Sequence, residues 1–137
     1  MISIAFSVAL EPGSSGYENG DLILSGEGGE YRFNCMAVLT ASLLLYQVQQ
    51  WIGSPDEELL FNPIDYTRYI SFRKKREKIT ASFQGKVIGE TDRWSLVREI
   101  VNACEKLDLE FVQYLPDGDA GRSDFAASLR DFKKAVG

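Results

Sequence analysis

The sequence predicts a single α+β domain over residues 1–137, with one antiparallel sheet of two meanders separated by a helix and C-terminal helices packed on one face. Three observations lead there. Apolar residues alternate with a period of two near the N-terminus and again over residues 70–90, as half-buried strands require. They recur at helical spacing after Cys35, after Asp92 and after Ser123. Glycine, proline and asparagine punctuate the boundaries between these stretches.

In chain order, Ile2, Ile4, Phe6, Val8 and Leu10 would share one face of a first strand. Residues 11–20 hold three glycines, a proline and paired serines, and they end in Asn19-Gly20, so they read as a loop closing in a tight reversal. Strands at 22–25 and 30–33 flank a turn at Gly26-Glu27-Gly28-Gly29 and complete the first meander. Met36, Leu39, Leu43, Val48 and Trp51 then mark a helix starting at Cys35, with Asn34 as its N-cap and Gly53 and Pro55 as its stop. Ile70 and Phe72 open the second meander. The basic run from Arg73 to Lys78 is its first turn, Ile79, Ala81 and Phe83 alternate on the return, and Gln84-Gly85 reverses the chain into residues 86–90. Asp92 caps a long helix through Trp94, Val97, Val101, Cys104 and Phe111 to Leu115, closed by Pro116. Ser123 caps a last helix on which Phe125, Leu129, Phe132 and Val136 share a face.

Charge divides the chain more sharply than hydropathy does. Residues 1–70 carry nine acidic and two basic side chains (Arg32 and Arg68), residues 71–137 eleven acidic and thirteen basic, for a net charge of −5. Such a field steers a basic partner to one region and repels acidic ones. Apolar stretches such as Leu43–Tyr46 are far short of the roughly 20 residues that cross a bilayer, and the N-terminus alternates where a signal peptide would be a solid apolar block. A cytoplasmic protein without a membrane partner is the expectation.

The sequence has no histidine, which excludes the common Ser–His–Asp and Cys–His mechanisms and removes the commonest nitrogen ligand of zinc. Cys35 and Cys104 have no CxxC spacing and read as free structural thiols of a reducing compartment. The stretch Asp117 to Asp124 falls short of a calcium loop, because the positions that need glycine and an acid hold Arg122 and Ser128. Gly26–Gly29 opens no helix and is flanked by glutamates, so it cradles no phosphate. The run Arg73–Lys78 reads as a charged hairpin tip that guards an edge, and the negative net charge weighs against nucleic acid. Trp51 and Trp94 read as core or helix-edge packing. The residues suggest no catalytic centre, no cofactor and no metal.

What remains is an acidic surface. Glu11, Glu18, Asp21, Glu27 and Glu30 around the first meander, with Asp56, Glu57 and Glu58 after the first helix, would form a face for a basic protein, and Tyr17, Tyr31, Tyr66 and Tyr69 would supply its aromatic anchors. The segments Ile2-Ser-Ile-Ala-Phe-Ser-Val-Ala-Leu10, Gly20-Asp-Leu-Ile-Leu24 and Ile79-Thr-Ala-Ser-Phe-Gln-Gly-Lys-Val-Ile88, set in this order of meander, helix, meander and helices, resemble bacterial immunity proteins, the cognate inhibitors of polymorphic or contact-dependent toxins. They also look like small bacterial domains of unknown function. The likeness is one of architecture and transfers no functional residue. It implies tight binding to a toxin, often a nuclease with a basic active site, whose phosphates the carboxylates would mimic. The alternatives are a small-ligand or carboxylate-based enzyme domain, and a self-associating adaptor that forms homodimers through an exposed sheet edge or the apolar side of the last helix.

Overall fold

A computed structural model describes residues 1–136 as an α+β fold with two antiparallel sheets where the sequence suggested one. Strands β1 (Ser3–Ser7), β2 (Asn19–Gly26) and β3 (Gly29–Met36) form the first, in that order. Helix α1 (Ala37–Ile52) follows. Strands β4 (Glu58–Phe61), β5 (Ile70–Lys75), β6 (Lys78–Phe83) and β7 (Lys86–Asp92) then form a four-stranded meander. Helix α2 (Arg93–Glu110), a 3-10 turn at Val112–Tyr114 and helix α3 (Ala120–Val136) complete the chain.

The sheets meet where β7 passes the β2–β3 turn. Gly28 N–H donates to the Ile88 carbonyl at 2.9 Å, the single backbone bond between them outside the ladders. The backbones approach so closely that a Cβ on Gly26 would stand 2.5 Å from Ile88 O, and one on Gly28 would overlap the Val87 carbonyl. Glycine is therefore required there for space, with no phosphate chemistry involved. Behind this junction lies one contiguous apolar cluster drawing on both sheets and all three helices.

Helix α1 is apolar around most of its circumference, with Val38, Ala41, Leu44, Leu45, Val48 and Trp51 all buried. It must therefore be covered on more than one side. The sheets cover part of it, and α3 packs mainly on α1, so the C-terminal helices do not share one sheet face.

Local signals fared unevenly. Asp92 does cap α2, accepting from Ser95 N–H at 2.8 Å. Asn34 caps nothing: β3 runs on to Met36 through pairing with Asn19, and the Asn34 amide donates to Gly20 O. Met36 takes the N-cap position without a side-chain bond, and its own N–H donates to Ile64 O. Asp119, not Ser123, starts α3, with one oxygen on Arg122 N–H and the other on Gly16 N–H, both at 3.0 Å. The first strand stops at Ser7, leaving Leu10 exposed and Phe6 and Val8 half-buried. The α2 helix ends at Glu110, five residues before Leu115. The basic run is mostly strand, with only Arg76 and Glu77 at its tip, and Arg76 takes the left-handed φ of 58° that the two-residue turn imposes. Among the described residues no helix is long and apolar enough to cross a membrane.

Candidate functional site

The structure distributes the proposed acidic face over separate elements. Asp21 and Glu30 lie on the outer face of the first sheet, 3.7 and 3.4 Å from Arg32, which neutralises part of their charge. Glu27 is exposed at the β2–β3 turn, and Glu18 precedes β2. Tyr31 and Tyr66 are half-buried in an aromatic cluster with Phe33 and Phe83, so they pack the two sheets together and are poor anchors for a partner. Tyr17 and Tyr69 are exposed, in loops before β2 and β5. Of the predicted aromatic anchors, Tyr31 and Tyr66 are thus committed to packing.

Asp56, Glu57 and Glu58 behave differently, because strand β4, which the sequence reading missed, sets them beside the end of α1. Asp56 and Glu58 line a groove of about 240 Å³ together with Tyr46, Gln47, Gln50, Trp51, Ser54 and Leu59. Glu57 adjoins it through the chain, its carbonyl accepting from Lys74 N–H at 2.7 Å. Tyr46 is 60% exposed and supplies the aromatic edge that Tyr31 and Tyr66 do not. Gln47 and Trp51, four residues apart on one side of α1, each hold a buried polar atom without a hydrogen-bond partner: Gln47 Oε1, an acceptor, and Trp51 Nε1, a donor. Such unmade bonds are costly in an interior.

Beside the groove, on the inner side of Trp51 and Ser54, a basic side chain is turned inward. Lys74 lies on the core side of β5, and its ammonium donates to Trp51 O at 2.8 Å and Ser54 O at 2.7 Å. It also stands 4.8 Å from the Trp51 ring centroid. Helix α1 has no basic residue in its last turn, so Lys74 supplies from another element the cation its C-terminal carbonyls favour. Burial holds the Lys74 pKa below the usual lysine value, Asp56 opposing and Arg93 adding to the effect. The run that looked like a solvated tip is therefore largely committed: Lys74 to α1, Arg73 to Glu58 at 3.1 Å and Lys78 to Glu90 at 2.9 Å.

Glu58 accepts from the Ser71 hydroxyl at 2.8 Å and from Arg73, and these bonds, Ser71 first, hold its carboxyl below the ordinary 4.5. A carboxylate with a depressed folded pKa contributes stability that is present above the unfolded value and lost as pH falls through the folded one. The urea midpoints of the wild type and Glu58→Gln should therefore differ at pH 7 and converge as the pH is taken below 4.5. A difference that stays constant down to pH 3 would show that the charge of Glu58 does not matter to β4.

Elsewhere, reactive groups are shut away. Cys35 lies in β3 and not at a helix start, and burial raises its pKa; burial of Cys104 in α2 pushes that thiol up to about 12. Neither is a thiolate near neutrality. Trp94, in contrast to the packing role expected of it, is 63% exposed beneath the Arg93 guanidinium. Among the described residues no group of three His, Cys, Asp or Glu side chains could hold a metal ion. In comparisons with known proteins, no family model matches the chain, and no match is found among curated proteins or solved structures.

Proposed function

We propose that this is a non-catalytic protein-binding domain that receives a basic segment of a partner protein in the groove between α1 and β4. The observation that carries the reading is the convergence of Asp56 and Glu58 with exposed Tyr46 along one groove. An aromatic rim supplies contact area, and a carboxylate supplies orientation and encounter rate. A basic toxin domain, as the likeness to immunity proteins implies, is the finer form of the same reading. Neutralisation would then be steric, with carboxylates occupying a site built for phosphates.

The test is a capture from the native lysate at low and high salt with the wild type and with a triple variant, Asp56→Asn, Glu57→Gln and Glu58→Gln. A stoichiometric basic protein held by the wild type should associate with the variant about tenfold more slowly and with a flatter salt dependence. An association rate that is unchanged, with the fold intact by circular dichroism, removes the groove as the docking site.

A further inference from the structure

A sheet edge is a row of unpaired N–H and C=O groups, which proteins cover or give to a partner. Each of the four edges here meets other parts of the chain, to different extents. The β2–β3 turn sits on β7, with Gly28 N–H on Ile88 O. Helix α2 packs against β1. The loop after β4 closes on β3, where Met36 N–H donates to Ile64 O and Tyr66 packs on Phe33. Helix α1 packs against β4, but among the described residues no loop, turn or helix backbone bonds to the outer side of that strand.

The register says which groups are free. Glu57 O accepts from Lys74 N–H, and Leu59 and Phe61 stand opposite Phe72 and Ile70. Bonded pairs alternate along an antiparallel ladder, so Glu57, Leu59 and Phe61 bond inward and the N–H and C=O of Glu58 and Leu60 point outward. Leu60 is also 50% exposed on the outer face of the sheet, an apolar contact for a neighbouring strand.

We propose that the partner's basic segment binds as an added β-strand along β4, its main chain on Glu58 and Leu60 and a basic side chain in the groove beside Asp56. This rests on the reading of the groove given above and specifies the conformation of the bound segment. Charge selects the occupant. Asp56, Glu57 and Glu58 repel an acidic strand and admit a basic one. A second copy of the chain fits poorly, because it would bring the same three carboxylates to the shared edge. Two chains of net charge −5 would also repel each other.

The probe is a six-residue peptide alternating Arg and Val, beside a counterpart with Glu for Arg, titrated into the isotope-labelled full chain. The expected result is that the amides of Glu58 and Leu60 shift and gain protection from hydrogen exchange with the basic peptide alone. Leu60→Pro removes an outward N–H and leaves the inward ladder intact, so it should weaken binding about tenfold or more, whereas Leu60→Thr should stay within about twofold. Should Leu60→Pro fail to fold, exchange protection at the wild-type Glu58 and Leu60 amides decides the matter. Strand addition is overturned by equal binding to Leu60→Pro, by equal binding of the acidic peptide, by no binding at millimolar peptide, or by a wild-type dimer that Leu60→Pro dissociates. Binding retained by Leu60→Pro but lost in the Asp56, Glu57 and Glu58 triple variant leaves the groove standing without strand addition. Binding indifferent to both sets of changes overturns both.

Discussion

Replacing Phe33 by alanine should lower the unfolding free energy by about 3–5 kcal/mol, read as a shift of the urea midpoint at unchanged m-value. Phe33 is 1% exposed in the middle of β3. Its ring meets Phe83 of β6 at 4.9 Å and 79°, and Tyr66 of the intervening loop at 5.4 Å and 86°, both edge to face. Truncation removes the transfer energy of a buried ring, the edge-to-face terms, and the contact joining one sheet to the other. Relaxation cannot easily refill the space, because Tyr66 and Phe83 are held by separate sheet and loop backbones. Phe6→Ala should cost clearly less, since Phe6 is half-buried on an edge strand. A Phe33→Ala cost below about 1 kcal/mol would mean that the cluster closes over the gap and that the sheets are joined mainly at Gly26, Gly28 and Gly89.

The division between what was legible and what was not follows the range of the interactions. Asp92 announces its helix because the atoms it bonds, Ser95 N–H and Oγ, lie three residues away. Asp119 could not be chosen over Ser123 from the chain alone, since Gly16, the partner of its second oxygen, is 103 residues distant. Strand β4 was hidden for a related reason. Glu58-Leu59-Leu60-Phe61 is four residues between acids and a proline, too short to show a period, and only pairing with β5 makes it a strand. Without β4, nothing in the sequence separates the acids at 56–58 from those of the first meander. Tyr46, Gln47 and Gln50 went unnoticed because which side of α1 stays open depends on where α3 and the sheets pack. Lys74 was hidden by its neighbours: five cations in six residues look like a solvated tip, and only strand alternation turns one of them inward.

Trp51→Ala should cost about 3–5 kcal/mol, and Trp51→Phe much less, about 1 kcal/mol. The indole is 4% exposed and carries the Lys74 ammonium 4.8 Å from its centroid. Alanine removes the ring, opens a cavity at the end of α1, and leaves Lys74 bonded to two carbonyls without the surface its stem and charge lie on. Phenylalanine keeps a ring under the cation and deletes Nε1, a donor with nothing to donate to in the folded chain, so the lost area is partly offset by the lost desolvation penalty. The pair of variants therefore separates two roles of one residue. If Nε1 serves only packing, Trp51→Phe should bind the basic peptide as the wild type does. If the groove uses it, Trp51→Phe should weaken binding while its urea midpoint stays near the wild-type value, a loss of affinity that stability cannot explain. Equal destabilisation by alanine and phenylalanine would contradict the geometry, because it would mean that the ring supports neither Lys74 nor the end of α1.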